Sequence, residues 1–231
     1  ELKQALADFL LESTGEHYRI VVLNTGTEAV EAAIKHARYA FGRRLEAVAV
    51  ACGENLRSFT SRLSAGNVEV TPEFLRECER RLGEEPIESG DELVSALLSH
   101  NRRNLAAQPL MAALPHAFHG KTLGSLALTW NRDARLAFVR NNDDVVFVHA
   151  PVDFLASVAE ESIRYWQLEF HPLRLIVRSL PRLAALIYEP LRGEGGVLDL
   201  DGPSREMILS LHARYPDVAL IADEVERGLG R

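Results

Sequence analysis

The sequence predicts an α/β protein built on a mostly parallel sheet flanked by helices. Three runs carry this reading: Val145-Val146-Phe147-Val148, Ala184-Ala185-Leu186-Ile187-Tyr188 and Val218-Ala219-Leu220-Ile221-Ala222. Each is apolar without alternation, as strands buried on both faces are. Helical patterns lie between them, which is the alternation of a layered α/β sheet. The 231 residues, 47% of them apolar, suffice for one large domain or two small ones.

Leu2, Leu6, Phe9 and Leu10 have helical spacing and predict a helix over 2–11, ended by Ser13-Thr14-Gly15. Tyr18-Arg19-Ile20-Val21-Val22-Leu23 is a short β-branched apolar run and predicts a buried strand. Asn24-Thr25-Gly26 breaks it. A second helix is expected over 27–41, with Ala29, Ala33, Ala37, Ala40 and Phe41 on one face and Gly42 closing it. Residues 73–82 and 91–98 read as short amphipathic helices punctuated by Pro72, Gly83, Pro86 and Gly90. Residues 108–114 read as a strand or the approach to one. Between the last strands, helices are expected over 153–167 and 204–215, the latter with Ile208, Leu209 and Leu211 on its apolar side. No internal repeat is evident.

Composition narrows the function classes. A net charge of −7 argues against wholesale binding to nucleic acid or an anionic membrane. No run of about 18 apolar residues is present, so no membrane span is expected, and no signal peptide is visible at the start. Cys52 and Cys78 make neither a disulfide framework nor a metal-ligand cluster, so a reducing, cytoplasmic compartment is the expectation and no metal is. His116, three residues before His119, finds no further ligand at fitting spacing. Lysine occurs only at Lys3, Lys35 and Lys121; every other basic residue apart from histidine is arginine.

Ligands of open α/β sheets bind beyond the carboxyl ends of the strands. Polar residues gather at three predicted strand ends: Asn24-Thr25-Gly26-Thr27-Glu28, Glu189-Pro190-Leu191-Arg192-Gly193-Glu194-Gly195-Gly196 and Asp223-Glu224. Thr25 and Glu28 have capping-box spacing. The amides of Gly26 and Thr27, backed by the helix dipole, suit a phosphate, although a capped helix without a ligand has the same pattern. Asp223 follows four apolar residues, so its carboxylate is partly desolvated and needs a cation, either a heterocycle nitrogen or an arginine of the fold. Glu194 lies in a glycine-rich turn, where an acid is often incidental. Phe118-His119-Gly120-Lys121 offers an aromatic face, an imidazole and a cation, and a lone histidine there is more often structural than catalytic.

Together these segments resemble one family. Residues 24–38, Asn24-Thr25-Gly26-Thr27-Glu28-Ala29 onward, are similar to the phosphate-loop segment of class III aminotransferases, the ornithine, acetylornithine and 4-aminobutyrate type of pyridoxal-phosphate enzymes of fold type I. Phe118-His119-Gly120-Lys121-Thr122 resembles their aromatic-His-Gly-Arg-Thr motif. Residues 189–196 resemble Glu-Pro-Ile-Gln-Gly-Glu-Gly-Gly, and 220–231 resemble the Asp-Glu-Val-Gln segment that ends Gly-x-Gly-Arg.

The resemblance implies a cofactor, pyridoxal 5′-phosphate, and roles for its holders. Gly26 and Thr27 would hold the phosphate, and Phe118 would stack on the pyridine ring, with His119 beside it. Glu189 would organise the pocket below the ring. Asp223 would keep the ring nitrogen protonated. Glu194 looks like the family's gate acid, which pairs with an arginine further along and swings aside for a substrate carboxylate. Glu226 stands where the family has glutamine on the cofactor's phenolic oxygen, and a carboxylate there is repulsive. The implied catalytic residues are thus Asp223 and Glu194.

The resemblance covers 16–44 and 115–231 and implies that 1–231 is part of the large, cofactor-binding domain, incomplete at both ends, with an insertion at about 45–115. The family's Schiff-base lysine follows the Gly-x-Gly-Arg segment and is expected outside this chain. The implied reaction is transfer of an amino group from an amino acid or amine to an oxo acid, by a homodimer that binds neither nucleic acid nor membrane. A catalytically inactive aminotransferase-like scaffold or regulatory domain is the alternative, and a related isomerase or decarboxylase a third.

Overall fold

The computed structural model describes residues 1–83, 86–139, 143–194 and 196–228. Gly195 and residues 229–231, which belong to two of the motifs above, lie outside the described residues. The elements in chain order are α1 (Leu2–Thr14), α2 (Gly26–Ser64), α3 (Pro72–Leu82), α4 (Gly90–Asn104), β1 (Leu110–Ala113), α5 (Leu123–Leu128), α6 (Arg132–Leu136), β2 (Val145–Phe147) and α7 (Pro151–Glu160). There follow β3 (Ser162–Phe170), β4 (Leu173–Pro181), β5 (Leu183–Tyr188), β6 (Leu191–Arg192), β7 (Leu198–Asp199), α8 (Gly202–Arg214) and β8 (Ala219–Ala222).

The expected parallel sheet is present, in the order β2-β1-β5-β8 with every neighbour parallel. Its two faces carry separate cores, which is why its strands are apolar throughout. Leu110, Ala112 and Leu114 pack with Phe154 and Val158 of α7 and Met207, Ile208 and Leu211 of α8. Met111 and Ala113 pack on the other face with Val30, Ile34, Ala37 and Phe41 of α2. Sheet strands thus alternate side chains between the two helical layers.

Three sequence expectations are corrected. Residues 18–23 form no strand and no other regular element, with Val21 70% exposed and Tyr18, Val22 and Leu23 also on the surface. Apolar β-branched composition signals a pleated, covered surface, and no described part of the chain covers this run. Gly42 does not end α2, which continues for 39 residues in all. A mid-helix glycine costs only about 1 kcal/mol, less than the burial of Cys52, Leu56 and Phe59 beyond it contributes. The helix expected over 153–167 stops at Glu160, and Ser162–Phe170 pairs antiparallel with Leu173–Pro181. The alternation of Trp166, Leu168 and Phe170 with Gln167 and Glu169, followed by the break at His171-Pro172, is a strand-and-turn pattern that a helical reading of 153–167 overran.

This hairpin and residues 52–97 form a third core, with Phe59, Cys78, Leu93, Leu97, Leu168 and Leu175 at its centre. Asparagine side chains close the outer edge of β3. Asn55 donates to the Leu168 carbonyl at 2.9 Å and accepts from its N–H at 2.8 Å. Asn101 does the same for Trp166, both at 2.8 Å, and Asn104 donates to the Arg164 carbonyl at 2.9 Å. Residues 164, 166 and 168 are alternate positions of one strand, so the amides stand in for a neighbouring strand. Asn101→Ala strands a buried N–H and a buried carbonyl; roughly 2–4 kcal/mol of stability should be lost in urea unfolding, against under about 1 kcal/mol for exposed Asn104→Ala.

Candidate functional site

A cleft of about 210 Å³ opens at the carboxyl ends of the sheet strands. It is lined by Gly26 and Thr27 from the start of α2, Phe118 and His119 from the loop after β1, Glu189 from the end of β5, and Asp223 and Glu226 beyond β8. These seven are the residues to which the motifs assign cofactor contacts, and four separate stretches of chain bring them together. Glu194 is placed elsewhere: it lies exposed in the turn between β6 and β7, off the cleft wall. Among the described residues no lysine lines the cleft, and no group of three His, Cys, Asp or Glu side chains could hold a metal.

The anion end is built by local sequence. Thr25 is the N-cap of α2 in an extended conformation, and its Oγ1 accepts from the Glu28 N–H at 3.1 Å. Glu28 reaches back to the Asn24 N–H at 2.8 Å, one residue earlier than a standard capping box. The Gly26 and Thr27 amides belong to the first turn, which has no intrahelical acceptor for them. They and the helix dipole are a ready anion cradle. Glycine is required at 26 by a neighbour, since a Cβ there would sit 2.7 Å from Val225 Cγ2.

The wall loop is held by contacts that the motifs do not announce. Glu31, one helical turn into α2, accepts from Thr122 Oγ1 at 2.5 Å and from the N–H groups of Gly124 and Ser125 at 3.0 and 3.1 Å. Buried Thr129 accepts the His119 N–H at 3.0 Å and donates to the Gly120 carbonyl at 3.2 Å. Gly120 sits at φ +124°, pressed against Thr27 and Ser125. Thr129, Glu31, Thr25 and Val225 are therefore site residues missing from the assignment by motif. Thr25 and Val225 line the cleft, whereas Thr129 and Glu31 act through the loop. Thr25 carried its capping spacing, Glu31 and Val225 lie inside quoted motif segments without an assigned role, and Thr129 carried no signal.

Three carboxylates meet in the cleft. Asp223 follows β8 directly, and its N–H extends the β5–β8 ladder to the Tyr188 carbonyl at 2.8 Å. Its side chain is 6% exposed and its Oδ2 lies 2.9 Å from Nδ1 of His119, whose side chain is fully buried. Glu189 ends the neighbouring strand and is buried; its Oε2 accepts the Phe118 N–H at 3.1 Å. Burial is the main force pushing the Glu189 carboxyl above its ordinary value, and the charges of Asp223 and Glu226 add to it, while the Phe118 hydrogen bond opposes it. A raised carboxyl contributes stability at low pH that is lost as pH rises through its folded value. Glu189→Gln keeps the acceptor for Phe118 and removes the charge. Its thermal midpoint should therefore exceed that of the parent by a few degrees at neutral pH, and the difference should shrink on acidification.

A cleft with an amide cradle at one end, an aromatic face at 118 and a desolvated acid at 223 suits a flat, phosphorylated cation. Comparisons with known proteins agree with that chemistry. The sequence model of the family described as Aminotransferase class-III matches residues 1–231. The mitochondrial acetylornithine aminotransferase of Eremothecium gossypii is 35% identical over 150 residues, 62% of this chain and 31% of that protein. The LysW-aminoadipate semialdehyde/glutamate semialdehyde transaminase of Sulfolobus acidocaldarius is 31% identical over 147 residues, 63% of this chain and 32% of that one. The chain thus spans about a third of the length of these relatives. In fold it is similar to the ornithine aminotransferase of Toxoplasma gondii, with a TM-score of 0.53 at 16% identity over 98% of this chain and 36% of that one.

Proposed function

This chain belongs to the class III aminotransferase family, and from that premise we propose that its cleft binds pyridoxal 5′-phosphate and serves transamination. The substrates on this reading are an amino acid or amine and an oxo acid. The convergence of seven motif residues from four segments on one 210 Å³ cleft carries it. The residues present fit the cofactor. The first-turn amides of α2 offer donors to a phosphate, and Gly120 lets Thr27 approach the loop more closely than any Cβ would allow. Residues 1–231 are then part of the large domain, with the insertion at about 45–115, of which residues 56–97 pack on the β3–β4 hairpin.

Bound there, the cofactor supplies an electron sink for the bonds of the substrate amine's carbon. The chain's residues do the rest. Gly26 and Thr27 bind the phosphate through their N–H groups. Phe118 and Val225 give the ring apolar surfaces and exclude water. Asp223 holds a proton on the ring nitrogen. Glu189 anchors the Phe118 amide. Glu226, a cleft residue standing where the family has glutamine, would weaken binding by charge repulsion with the cofactor's phenolic oxygen. Glu194, in its exposed turn, is the gate for a substrate carboxylate. The exposed apolar run 18–23 and α1, which buries no residue, support a homodimer that covers them. The two free, buried cysteines are in keeping with a cytoplasmic setting.

Calorimetric titration of the intact protein with pyridoxal 5′-phosphate tests the reading. Saturable binding that Gly26→Ala weakens is expected, and absence of binding would end it. The scaffold alternative is favoured by the carboxylate at Glu226, by the long insertion at about 45–115 and by the lack of a lysine among the described residues of the cleft wall. Borohydride reduction of the loaded protein followed by peptide mapping separates the two: a labelled lysine supports catalysis, and binding without label supports the scaffold.

A further inference from the structure

Thr27 and Glu31 stand one turn apart on α2 and meet the same loop at two places. Thr27 meets it at Gly120, where a Cβ would come within 2.5 Å of Thr27 Oγ1. Glu31 meets it at the start of α5. Thr122, the N-cap of α5, makes no capping bond with its own side chain. One oxygen of Glu31, Oε1, takes that place: it accepts from Thr122 Oγ1 at 2.5 Å and from the Gly124 and Ser125 N–H groups at 3.0 and 3.1 Å. First-turn N–H groups have no acceptor within their own helix, and a carboxylate is a strong partner for them. Gly124 leaves the room for it, since a Cβ there would lie 2.6 Å from Oε2 and 2.7 Å from Oε1.

This clamp joins the two halves of the cleft. Gly26 and Thr27, at the start of α2, are the anion cradle, while Phe118 and Gly120 belong to the loop that forms the wall. The two halves are 91 residues apart in sequence at the Glu31–Thr122 bond. A ligand with a phosphate at one end and a flat ring at the other engages both halves at once. Its second contact adds fully to the first only where the spacing of the halves is fixed beforehand. Resting on the function proposed above, we infer that Glu31 is a positioning residue: its carboxylate fixes the wall loop against the helix that carries the cradle, so that one molecule fills both ends. Glu31 is not among the residues that line the cleft, so it acts through the loop and not on the ligand.

Two titrations of the intact protein separate the halves, one with inorganic phosphate followed by phosphorus NMR and one with pyridoxal 5′-phosphate followed by calorimetry. In Glu31→Ala the affinity for inorganic phosphate should stay within about twofold of the parent's, because Gly26 and Thr27 keep their N–H groups, while that for pyridoxal 5′-phosphate should fall roughly tenfold or more. Glu31→Gln, which keeps an acceptor oxygen, should recover most of the loss. A parallel fall on both ligands would place Glu31 in the cradle itself, and no fall on either would make the clamp idle; each result overturns the inference. If Glu31→Ala does not fold, Gly124→Ala opens the same clamp from the other side and should give the same split between the two ligands. Main-chain hydrogen exchange without ligand is the third readout. The Gly124 and Ser125 amides should exchange faster in Glu31→Ala than in the parent, with Ala29 and Val30 of α2 unchanged, and unaltered exchange at 124 and 125 overturns the inference. Should the parent bind no pyridoxal 5′-phosphate, the proposed function fails by itself, and the exchange rates still decide whether Glu31 holds the loop.

Discussion

Gly120→Ala should remove a large part of the protein's stability margin and distort the cleft with it. At φ +124° an L side chain is strained, at a cost of about 1–3 kcal/mol. The added Cβ would also meet Thr27 Oγ1 at 2.5 Å, Ser125 Oγ at 2.7 Å and Thr27 Cγ2 at 2.8 Å. Neither neighbour can swing aside: Thr27 stands in the first turn of α2, and Ser125 is fully buried. Overpacking of that kind adds about 1–3 kcal/mol. A combined loss of roughly 2–6 kcal/mol compares with a typical total of about 5–15 kcal/mol. Gly66→Ala is the matched control, since Gly66 has φ +70° but nothing within 4 Å of its Cβ, and should cost about 1 kcal/mol. Urea unfolding of the two variants reads the difference; similar losses would show that the contacts with Thr27 and Ser125 are soft. Any folded Gly120→Ala protein should also bind phosphate compounds poorly, because relief of the clash displaces Thr27 from the cradle.

The sequence reading succeeds and fails along physical lines. The strands at 145, 183 and 219 are legible because each lies between helical layers and is apolar without alternation, most fully in central β5, and little else produces four or five such residues in a row. The cleft residues are legible because each sits just past a strand or at a helix start, where backbone geometry dictates residue type. What escapes depends on contacts distant in sequence. Gly42 looks like a terminator until the burial of Phe59, a long way down the same helix, is known. Residues 18–23 look covered because composition records the need for a cover and not the identity of the cover. Asn101 and Asn55 have no local pattern that distinguishes them from surface asparagines, yet they pair with strand β3 more than sixty residues away. Glu31 and Thr129 hold the wall loop through bonds spanning 91 and 10 residues, of which only the shorter lies within a motif's reach.

Asp223 carries two burdens that substitution can separate. Asp223→Ala leaves His119 Nδ1–H buried with no acceptor, which should cost about 1–3 kcal/mol in unfolding experiments on the ligand-free protein. Asp223→Asn retains an oxygen at the Oδ2 position and should stay within about 1 kcal/mol of the parent. Toward pyridoxal 5′-phosphate the two variants should behave alike, because both lose the charge: a charge-assisted hydrogen bond contributes about 1.5–3 kcal/mol, so affinity should fall roughly 10- to 100-fold in each. Loss of the negative charge also lifts one of the pressures that raise the Glu189 carboxyl, so Asp223→Asn should titrate Glu189 at lower pH than the parent does. A pattern in which stability divides the variants and affinity unites them assigns the hydrogen bond to the fold and the charge to the ligand. Unchanged affinity in Asp223→Asn would instead make the acid an anchor for His119 alone and leave the ring nitrogen without a partner in this cleft.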